Sequence, residues 1–355
     1  MKRFDILLAG TVTALTFFGL LMIFNSSSVI AYELFGDKYG YFKDQVLWII
    51  LGYIGLAFFY FFDYKKLFNL ALPLLIVSLV LLILVFIPGA GSSAKGAARW
   101  INIFGFRLQP SEFVKLALAI YLAAWFSTKE KNRFLAFSLL LGSVILLVML
   151  QPDMGTASII LFEAVAMYFF SGGNMFHFIL GAPVAAFVGF LLIKAEPYRM
   201  SRLTSFLNLG NSFRDTSYHT KQILIALGSG GIWGLGIGNS LQKYAYLPEN
   251  VTDSIFPIIA EEFGFVGATA LIIVFAFLIY CGFKISANCR DSFGKLLAAG
   301  IITFIGIQIV INLGAMTALL PLTGVPLPFI SYGGSALILN LASVGILLNI
   351  AKQSD

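Results

Sequence analysis

The sequence predicts an all-α polytopic membrane protein with ten transmembrane helices. Hydrophobic residues make up 59% of the chain and charged residues 11%, whereas soluble domains are about 45–50% apolar and about 25% charged. The mean hydropathy is +0.92. Ten windows approach the roughly 20 apolar residues that a membrane-spanning helix needs, and their length favours helices over the shorter strands of a barrel.

The predicted spans are residues 6–26, 44–62, 67–88, 111–127, 134–151, 154–171, 174–194, 254–284, 295–320 and 332–351. Met1-Lys2-Arg3 before a long apolar run is also typical of a signal peptide, but no convincing small-residue cleavage site follows, so we treat this run as the first span. Cys281 and Cys289 are the only cysteines, and they do not support a disulfide framework. We expect one integral membrane domain over residues 1–355.

The basic residues predict that both termini face the cytoplasm. This orientation places on the cytoplasmic side Lys65, Lys66, Lys129, Lys131, Arg133, Lys284, Arg290, Lys295 and Lys352, as the positive-inside rule expects. Four longer segments then face outward, residues 27–43, 89–110, 195–253 and 321–331. The third is a large extracytoplasmic loop between spans 7 and 8.

These outward segments nevertheless contain cations, namely Lys95, Arg99, Arg107, Arg199, Arg202, Arg214, Lys221 and Lys243. Long loops can cross the membrane regardless of their charge, which would explain those of residues 195–253. Arg99 and Arg107 lie in a shorter segment beside Trp100. There we favour an anionic ligand such as a lipid pyrophosphate, because guanidinium groups bind phosphate oxygens bidentately.

The stretch "KGAARWINIFGFRLQPSEFVKLA" brings charge to the start of the fourth span. Pro110 and Glu112 suit the first turn of a helix, which is the simple structural interpretation. Lys115 lies three residues after Glu112, on the same helical face and one turn further in, where an ionisable residue suggests a functional site. Trp100 has its own structural alternative, an aromatic residue at the membrane interface.

A second motif, "QPDMGT", forms a tight break between two spans. Asp153 is either a site residue or the N-cap of the next helix. Glu163 lies deeper in that span, where we expect a protonated or hydrogen-bonded structural group.

The large loop, residues 195–253, is the segment in which function is most expected. Arg199 and Arg202 are spaced i, i+3, and they either bind an anion or extend to lipid headgroups. "SYHTKQILIALGSGG" predicts an amphipathic helix that lies in the interface or re-enters it. The glycines of "GSGGIWGLGIGNSLQK" are a weak nucleotide-binding signal without a βαβ unit, and close backbone packing or a flexible loop explains them better.

The stretch "YLPENVTDSIFPIIAEEFGFVG" carries four acids at and below the mouth of the eighth span. Thr252 or Asp253 could cap a helix that begins near Ser254. Glu261 and Glu262 follow Asp253 by eight and nine residues, roughly 12 and 13.5 Å along a helix. They must face a polar cavity or a partner, since isolated carboxylates in hydrocarbon are costly.

The last motif is "LPLTGVPLPFISYGGSALILN", which contains Ser331. Its prolines and paired glycines predict either a plain turn or a non-helical cap over a cavity, which is tolerated at membrane depth where protein or water covers the backbone. Gln308 and Asn312, spaced i, i+4, would donate hydrogen bonds beneath it.

Together and in this order, these motifs resemble the shape, elongation, division and sporulation (SEDS) family, the FtsW/RodA/SpoVE peptidoglycan glycosyltransferases. The resemblance covers nearly the whole chain. "AEPYR..R.TSF" and "GNSLQK..YLPE" are more similar to the FtsW/SpoVE branch than to RodA. The resemblance implies a ten-span enzyme of the bacterial cytoplasmic membrane that polymerises lipid II on the outer face of that membrane, during cell division or elongation.

The resemblance assigns the catalytic carboxylate to the acid of the Thr-Asp pair, which is Asp253 here, as the base toward the acceptor hydroxyl. It leaves the metal unknown, with a divalent cation (Mg or Mn) as a candidate, and implies a class B penicillin-binding protein as the transpeptidase partner within a division or elongation complex, with no nucleic acid involved. The candidate substrate-binding residues are Lys95, Arg99, Trp100, Glu112, Lys115, Asp153, Arg199, Arg202, Gln242, Lys243 and Ser331.

Two positions depart from the family pattern: Ser254 stands where Phe is common, and His219 where Gln is frequent. Two other functions are compatible with a chain of this composition. A transporter or lipid II flippase also has many spans with buried charge, but its paired broken helices near mid-membrane are not evident here. A scaffold for division proteins leaves the acid at Asp253 unexplained.

Overall fold

The computed structural model describes residues 2–87, 91–94, 97–103, 106–128, 133–194, 197–207, 218–244 and 246–354. Lys95, one of the predicted site residues, lies outside the described residues. The described helices are α1 (Lys2–Phe35), α2 (Gly40–Phe61), α3 (Lys66–Leu84), α4 (Pro110–Ser127), α5 (Phe134–Leu150), α6 (Met154–Phe170), α7 (Met175–Lys194), α8 (Pro197–Leu207), α9 (Tyr218–Ser229), α10 (Ile255–Asn288), α11 (Ser292–Met316) and α12 (Gly334–Gln353).

Ten of these described helices coincide with the ten predicted spans, and α8 and α9 lie in the large loop between α7 and α10. Within the described residues, six helices are long and apolar enough to cross a membrane by themselves: α1, α2, α3, α10, α11 and α12. Helices α5 and α6 are apolar but have only 17 residues each. α9 begins at Tyr218, within the stretch for which an amphipathic helix was predicted.

A small antiparallel sheet that was not predicted accompanies the helices. It consists of β1 (Gly91–Ala94), β2 (Ala97–Ile103) and β3 (Phe106–Leu108) in the order β1-β2-β3. Strands of three to seven residues do not appear in hydropathy windows of about 20 residues. The sheet is attached to the start of α12, because the Ser335 hydroxyl donates to the Arg107 carbonyl at 3.1 Å and accepts from the Gln109 N–H at 3.2 Å.

Helices α4, α11 and α12 form the centre of the bundle. In α11 and α12, 83% of the most apolar window is buried by protein, compared with 17% in α2 and 22% in α10. The buried face of α4 includes Ala117, Ala119 and Ala123, and small residues of this kind allow close helix packing in membranes. The exposed apolar faces of α2 and α10 are therefore left for lipid.

Helix α10 is interrupted at Gly264, where the backbone has φ 68° and ψ −169°. The break removes two helical hydrogen bonds, and the preceding loop replaces both. The freed carbonyls of Glu261 and Glu262 accept from the N–H groups of Leu235 and Gly236, each at 3.0 Å. The freed N–H groups of Phe265 and Val266, in turn, donate to the carbonyls of Gly231 and Ile232 at 2.9 and 3.2 Å.

This exchange requires very close backbone approach, which glycine permits. A Cβ at Gly264 would lie 2.3 Å from the Gly234 nitrogen, and a Cβ at Gly234 would lie 2.1 Å from the Glu262 carbonyl oxygen. Close packing, the simpler interpretation of the glycine-rich sequence, therefore describes this loop.

We predict that Gly264→Ala destabilises the protein, because an L residue at this positive φ costs about 1–3 kcal/mol even before the steric clash. Gly142→Ala is the matched control, since a Cβ there meets nothing within 4 Å and alanine is favoured over glycine in a helix by up to about 1 kcal/mol. Thermal unfolding in detergent measures both. Equal melting temperatures for the two variants would contradict the account of the break.

Candidate functional site

Asp253 lies in the turn that leads into α10. Ser254 occupies the N-cap position of the helix, so the structure does not show the capping alternative for Thr252 or Asp253. The side chain of Asp253 is 8% exposed, and its Oδ1 accepts a hydrogen bond from Thr252 Oγ1 at 3.1 Å. With the N-cap position taken by Ser254, Asp253 can face a neighbouring segment.

That neighbouring segment is the non-helical chain between α11 and α12, residues 317–333, which we call the cap segment. Asn312 Nδ2 of α11 donates to the carbonyls of Asp253 at 2.9 Å and Val325 at 2.7 Å. The Tyr332 N–H donates to the Val251 carbonyl at 2.9 Å. The turn of Asp253 and the cap segment are therefore fixed against each other by one buried amide and one backbone bond.

The cap segment has the non-helical form that the sequence predicted, and side chains from below pair its backbone. Gln308 Nε2 donates to the Pro326 carbonyl at 2.9 Å. Ser331 Oγ accepts from the Leu327 N–H at 2.9 Å, which makes Ser331 an internal tie of the segment. Gly324 borders the catalytic candidate, since a Cβ there would lie 3.8 Å from Asp253 Oδ2.

Lys115 is buried beneath the cap segment with 1% of its surface exposed. Its ammonium forms an ion pair with Glu112 at 2.9 Å and a hydrogen bond to Gln308 Oε1 at 2.7 Å. Since Gln308 also donates to the Pro326 carbonyl, the ion pair of α4 is linked to the cap segment through this one side chain. This geometry favours a positioning role for Glu112 and Lys115 over direct contact with a ligand.

The "QPDMGT" turn packs against the same segment from another side. Asp153 is the N-cap of α6, accepting from the Thr156 N–H at 3.1 Å and the Thr156 hydroxyl at 2.9 Å. Gln109 Nε2 also donates to Asp153 at 3.2 Å. A Cβ added to Gly155 would lie 2.3 Å from Val325 Cγ2, so the turn and the cap segment are in close contact. The capping alternative is the one that the structure shows for Asp153.

Three arginines converge on this turn and the cap segment. Arg99 of β2 donates to the carbonyls of Gln151, at 2.9 Å, and Pro152. Arg199 of α8 donates to the Met149 carbonyl at 2.9 Å. Arg202, one turn further along α8, donates instead to the Leu322 carbonyl at 2.6 Å.

Arg202 thus binds the cap segment that borders Asp253, while Arg99 and Arg199 bind the end of α5 and the turn that packs against this segment. Trp100 follows Arg99 on β2, where it pairs with Ser92 of β1, and its side chain is partly buried. The carbonyl groups of Gln151 and Pro152 attract the Arg99 guanidinium group without neutralising its positive charge, which therefore remains available to an anion.

Gln242 and Lys243 belong to a separate cluster on the far side of the turn. The Glu261 carboxylate accepts from the hydroxyls of Ser229, at 3.2 Å, and Ser240, and from the N–H groups of Leu241 at 3.2 Å and Gln242 at 3.3 Å. The buried carboxylate of Glu261 thus holds two stretches of the large loop, at residue 229 and at residues 240–242, against α10.

Lys243 Nζ lies 3.6 Å from Glu262 Oε1 and donates to Asn25 Oδ1 at 3.1 Å. Asn25 in turn donates to Glu262. Asn250 connects this cluster to the turn of Asp253, because its Nδ2 donates to the carbonyls of Lys243 and Ser26, each at 3.2 Å. Glu261 and Glu262 therefore both have partners inside the protein: Glu261 accepts hydrogen bonds from the large loop, and Glu262 forms an ion pair with Lys243.

Three further positions noted in the sequence have clear surroundings. His219 Nε2 and Ser254 Oγ, the two departures from the family pattern, are hydrogen-bonded to each other at 2.8 Å. Glu163 is completely buried, and neither of its carboxyl oxygens has a hydrogen-bond partner among the described residues. The expected hydrogen-bonded state of Glu163 is not seen there.

Sequence reasoning missed Asn25 and Asn250, which join α1, Lys243 and the turn of Asp253. A polar side chain near the end of the first span is the signal that could have indicated Asn25, because polar residues within spans usually face other helices. Asn250 lies in the large loop, where a polar side chain is ordinary and gives no signal of a buried contact. Among the described residues no group of three or more His, Cys, Asp or Glu side chains could hold a metal ion.

The family of the chain follows from comparison with known proteins. The family model described as "Cell cycle protein", which covers FtsW, RodA and SpoVE, matches residues 5–355. The chain belongs to this family. Stage V sporulation protein E of Bacillus subtilis is 39% identical over 99% of this chain and 97% of the relative. The probable peptidoglycan glycosyltransferase FtsW of Trichlorobacter lovleyi is 40% identical over 99% of this chain and 94% of the relative.

Solved structures agree with the fold. A chain from a peptidoglycan synthase complex, described as coordinating polymerization and crosslinking, matches with a TM-score of 0.80 and 27% identity, covering 98% of this chain and 97% of that chain. The rod shape determining protein RodA of Thermus thermophilus matches with a TM-score of 0.72 and 27% identity, covering 98% and 96%. The predicted polytopic helical membrane fold and the predicted family, closer to FtsW and SpoVE than to RodA, are confirmed.

We predict that Lys115→Met destabilises the protein by about 3–5 kcal/mol, because it leaves the Glu112 carboxylate buried without its counter-ion. Thermal unfolding should show that the double variant Glu112→Gln/Lys115→Met recovers much of the loss. Lys43→Met is the control, since the Lys43–Asp37 pair is exposed and such pairs contribute at most about 1 kcal/mol. Additive losses in the double variant would contradict the pairing.

Proposed function

We propose that this chain is a peptidoglycan glycosyltransferase that polymerises lipid II into glycan strands at the outer face of the bacterial cytoplasmic membrane, during cell division or elongation. The names of the FtsW relatives support the activity, and the identity extends over nearly the full length of both chains. The observation that carries the proposal is that Arg202 binds the cap segment that borders Asp253, while Arg99 and Arg199 bind the adjoining turn and the end of α5. Transfer from a pyrophosphate-linked sugar requires an acid and cations that reach the same substrate.

In this mechanism Asp253 acts as the general base. Its carboxylate removes the proton from the 4-hydroxyl of the acceptor sugar as that oxygen attacks C1 of the donor. The bond between C1 and the pyrophosphate oxygen breaks, the undecaprenyl pyrophosphate leaves, and the anomeric configuration inverts. The hydrogen bond from Thr252 orients the carboxylate, and the Asn312 amide fixes the backbone of Asp253 from below.

The cations stabilise the negative charge that develops on the leaving pyrophosphate. Arg99, Arg199 and Arg202 are our candidates for this contact, and Trp100 beside Arg99 would adjoin the substrate. Glu112, Lys115, Asp153, Gln242, Lys243 and Ser331 remain predicted substrate-binding residues, but their contacts favour positioning of the loops that surround the substrate. Lys95 remains a prediction from sequence.

A divalent cation, Mg or Mn, also remains a proposal. Mg²⁺ commonly binds substrate phosphates, so a divalent ion would join the arginines in neutralising charge on the pyrophosphate. Asp253 would remain the general base, and among the described residues no group of three or more His, Cys, Asp or Glu side chains could hold the ion.

We further propose that both termini face the cytoplasm, as the basic residues indicate, and that a class B penicillin-binding protein supplies the transpeptidase activity. The structural neighbour from a complex that combines polymerization and crosslinking supports such a partner. The other components of a division or elongation complex are proposed from the family alone.

We predict that Asp253→Asn abolishes polymerisation of labelled lipid II by the purified protein with its transpeptidase partner, because the amide cannot accept the proton. Its melting temperature should match the wild type. Asp37→Asn is the control: this acid lies in the short turn between α1 and α2, paired with exposed Lys43, and its loss should leave the rate unchanged.

Long glycan strands from Asp253→Asn would refute the assignment of the base. Absence of polymer from the wild type, together with lipid II translocation in vesicles, would favour the flippase instead.

A further inference from the structure

The glycine loop, residues 230–243, has an exposed apolar edge that the proposed reaction does not use. The exposed fractions are 63% for Ile232, 80% for Trp233, 72% for Ile237 and 62% for Leu241. From residue 231 to residue 242 the sequence contains no charged side chain. These residues belong to no helix, and a cluster of exposed apolar side chains of this size marks an interaction surface.

This edge continues the lipid-facing surface of α10. The backbone exchange at Gly264 joins Gly231 and Ile232 to Phe265 and Val266. Phe265 is 70% exposed and Val266 45%. Beyond them, α10 runs without a charged residue until Lys284, with exposed apolar side chains along one face. The loop and the helix therefore form one continuous apolar surface.

The length of α10 indicates where the membrane boundary falls. From Gly264 to Lys284 is 20 residues, about 30 Å of helix, which equals the thickness of the hydrocarbon core. Every side chain from Ile255 to Glu262 is buried by protein instead. The bilayer boundary on the Asp253 side thus coincides with Gly264, where the glycine loop is attached.

We propose that the apolar edge of the glycine loop inserts into the lipid leaflet on the Asp253 side and anchors the large loop to the membrane. Irregular backbone in contact with hydrocarbon is normally unfavourable because its polar groups lack partners. Here the Leu235 and Gly236 N–H groups and the Gly231 and Ile232 carbonyls are all paired with α10. Trp233 has the residue type that concentrates at membrane interfaces.

The anchor sets the distance of Asp253 from the hydrocarbon boundary. The consequence for catalysis rests on the proposed function, in which Asp253 is the general base. Ile255 precedes Gly264 by nine residues, about 13 Å along the helix axis, and Asp253 lies beyond it. Glu261, Glu262 and Asn250 link the anchored loop to the turn of Asp253. The carboxylate is therefore held above the hydrocarbon boundary, at the level of the sugars of a lipid-linked substrate.

The test places an environment-sensitive fluorophore on the full-length protein in nanodiscs that hold one chain each. The labelled variants are Trp233→Cys and Ile237→Cys. Lys38→Cys, in an exposed charged turn, is the aqueous control, and Ile273→Cys, on the exposed face of α10, is the hydrocarbon control. Cys281 and Cys289 are buried, and the unsubstituted protein measures any labelling of them. Quenching is compared between lipids with a shallow nitroxide, lipids with a deep nitroxide and a water-soluble quencher.

We expect blue-shifted emission at residues 233 and 237, with most of the fluorescence lost to the shallow nitroxide and little to the water-soluble quencher. Quenching by the water-soluble reagent as strong as at residue 38 would overturn the proposal. Protection from all three quenchers would also overturn it, since protein would then cover the loop. Polymerisation does not enter these readings, so their failure leaves the proposed function standing, and failure of the function leaves the anchor standing.

Discussion

One buried amide, the side chain of Asn312, organises the reactive end of this molecule. It donates to the backbone carbonyl of Asp253 and to that of Val325 in the cap segment. Both carbonyls lie in non-helical chain inside a membrane protein, where an unpaired polar group is costly. The amide therefore satisfies two groups at once and fixes the turn of Asp253 against the cap segment.

The same constraint explains two other groups of polar contacts in the interior. Gln308 pairs the Pro326 carbonyl and also binds Lys115, which in turn neutralises Glu112. Glu261 collects four donors from the large loop. Buried charged groups of α4 and α10 thus support the irregular backbone around Asp253. Lys115 of α4 acts on the cap segment through Gln308, and Glu261 of α10 binds the large loop.

Much of this could be predicted from sequence. Ten helices follow from apolar windows, because hydrocarbon imposes their length, and Asp253 follows from motifs that appear in a fixed order. The cap segment was predictable from its prolines and glycines, and Gln308 and Asn312 from their i, i+4 spacing beneath it. The sheet at residues 91–108 was not predictable in this way, since its strands are too short to give a hydropathy signal.

What sequence could not show is how side chains share partners across distant segments. Arg199 and Arg202 looked like one unit at i, i+3, but they bind carbonyls of different segments. Lys115 and Lys243 looked like ligand-binding cations, yet both meet glutamates. The break at Gly264 is visible only when the glycine loop is placed beside α10, because the two stretches exchange hydrogen bonds that each would otherwise lack.

In the proposed mechanism, the reaction depends on how Asn312 places Asp253. The most direct measurement is the rate of lipid II polymerisation by Asn312→Asp, on folded protein isolated by size exclusion, relative to the wild type. A carboxylate cannot donate to the two carbonyls, so we expect a folded protein whose rate falls by at least about tenfold, equivalent to about 1.4 kcal/mol. A variant that polymerises at the wild-type rate would contradict the account.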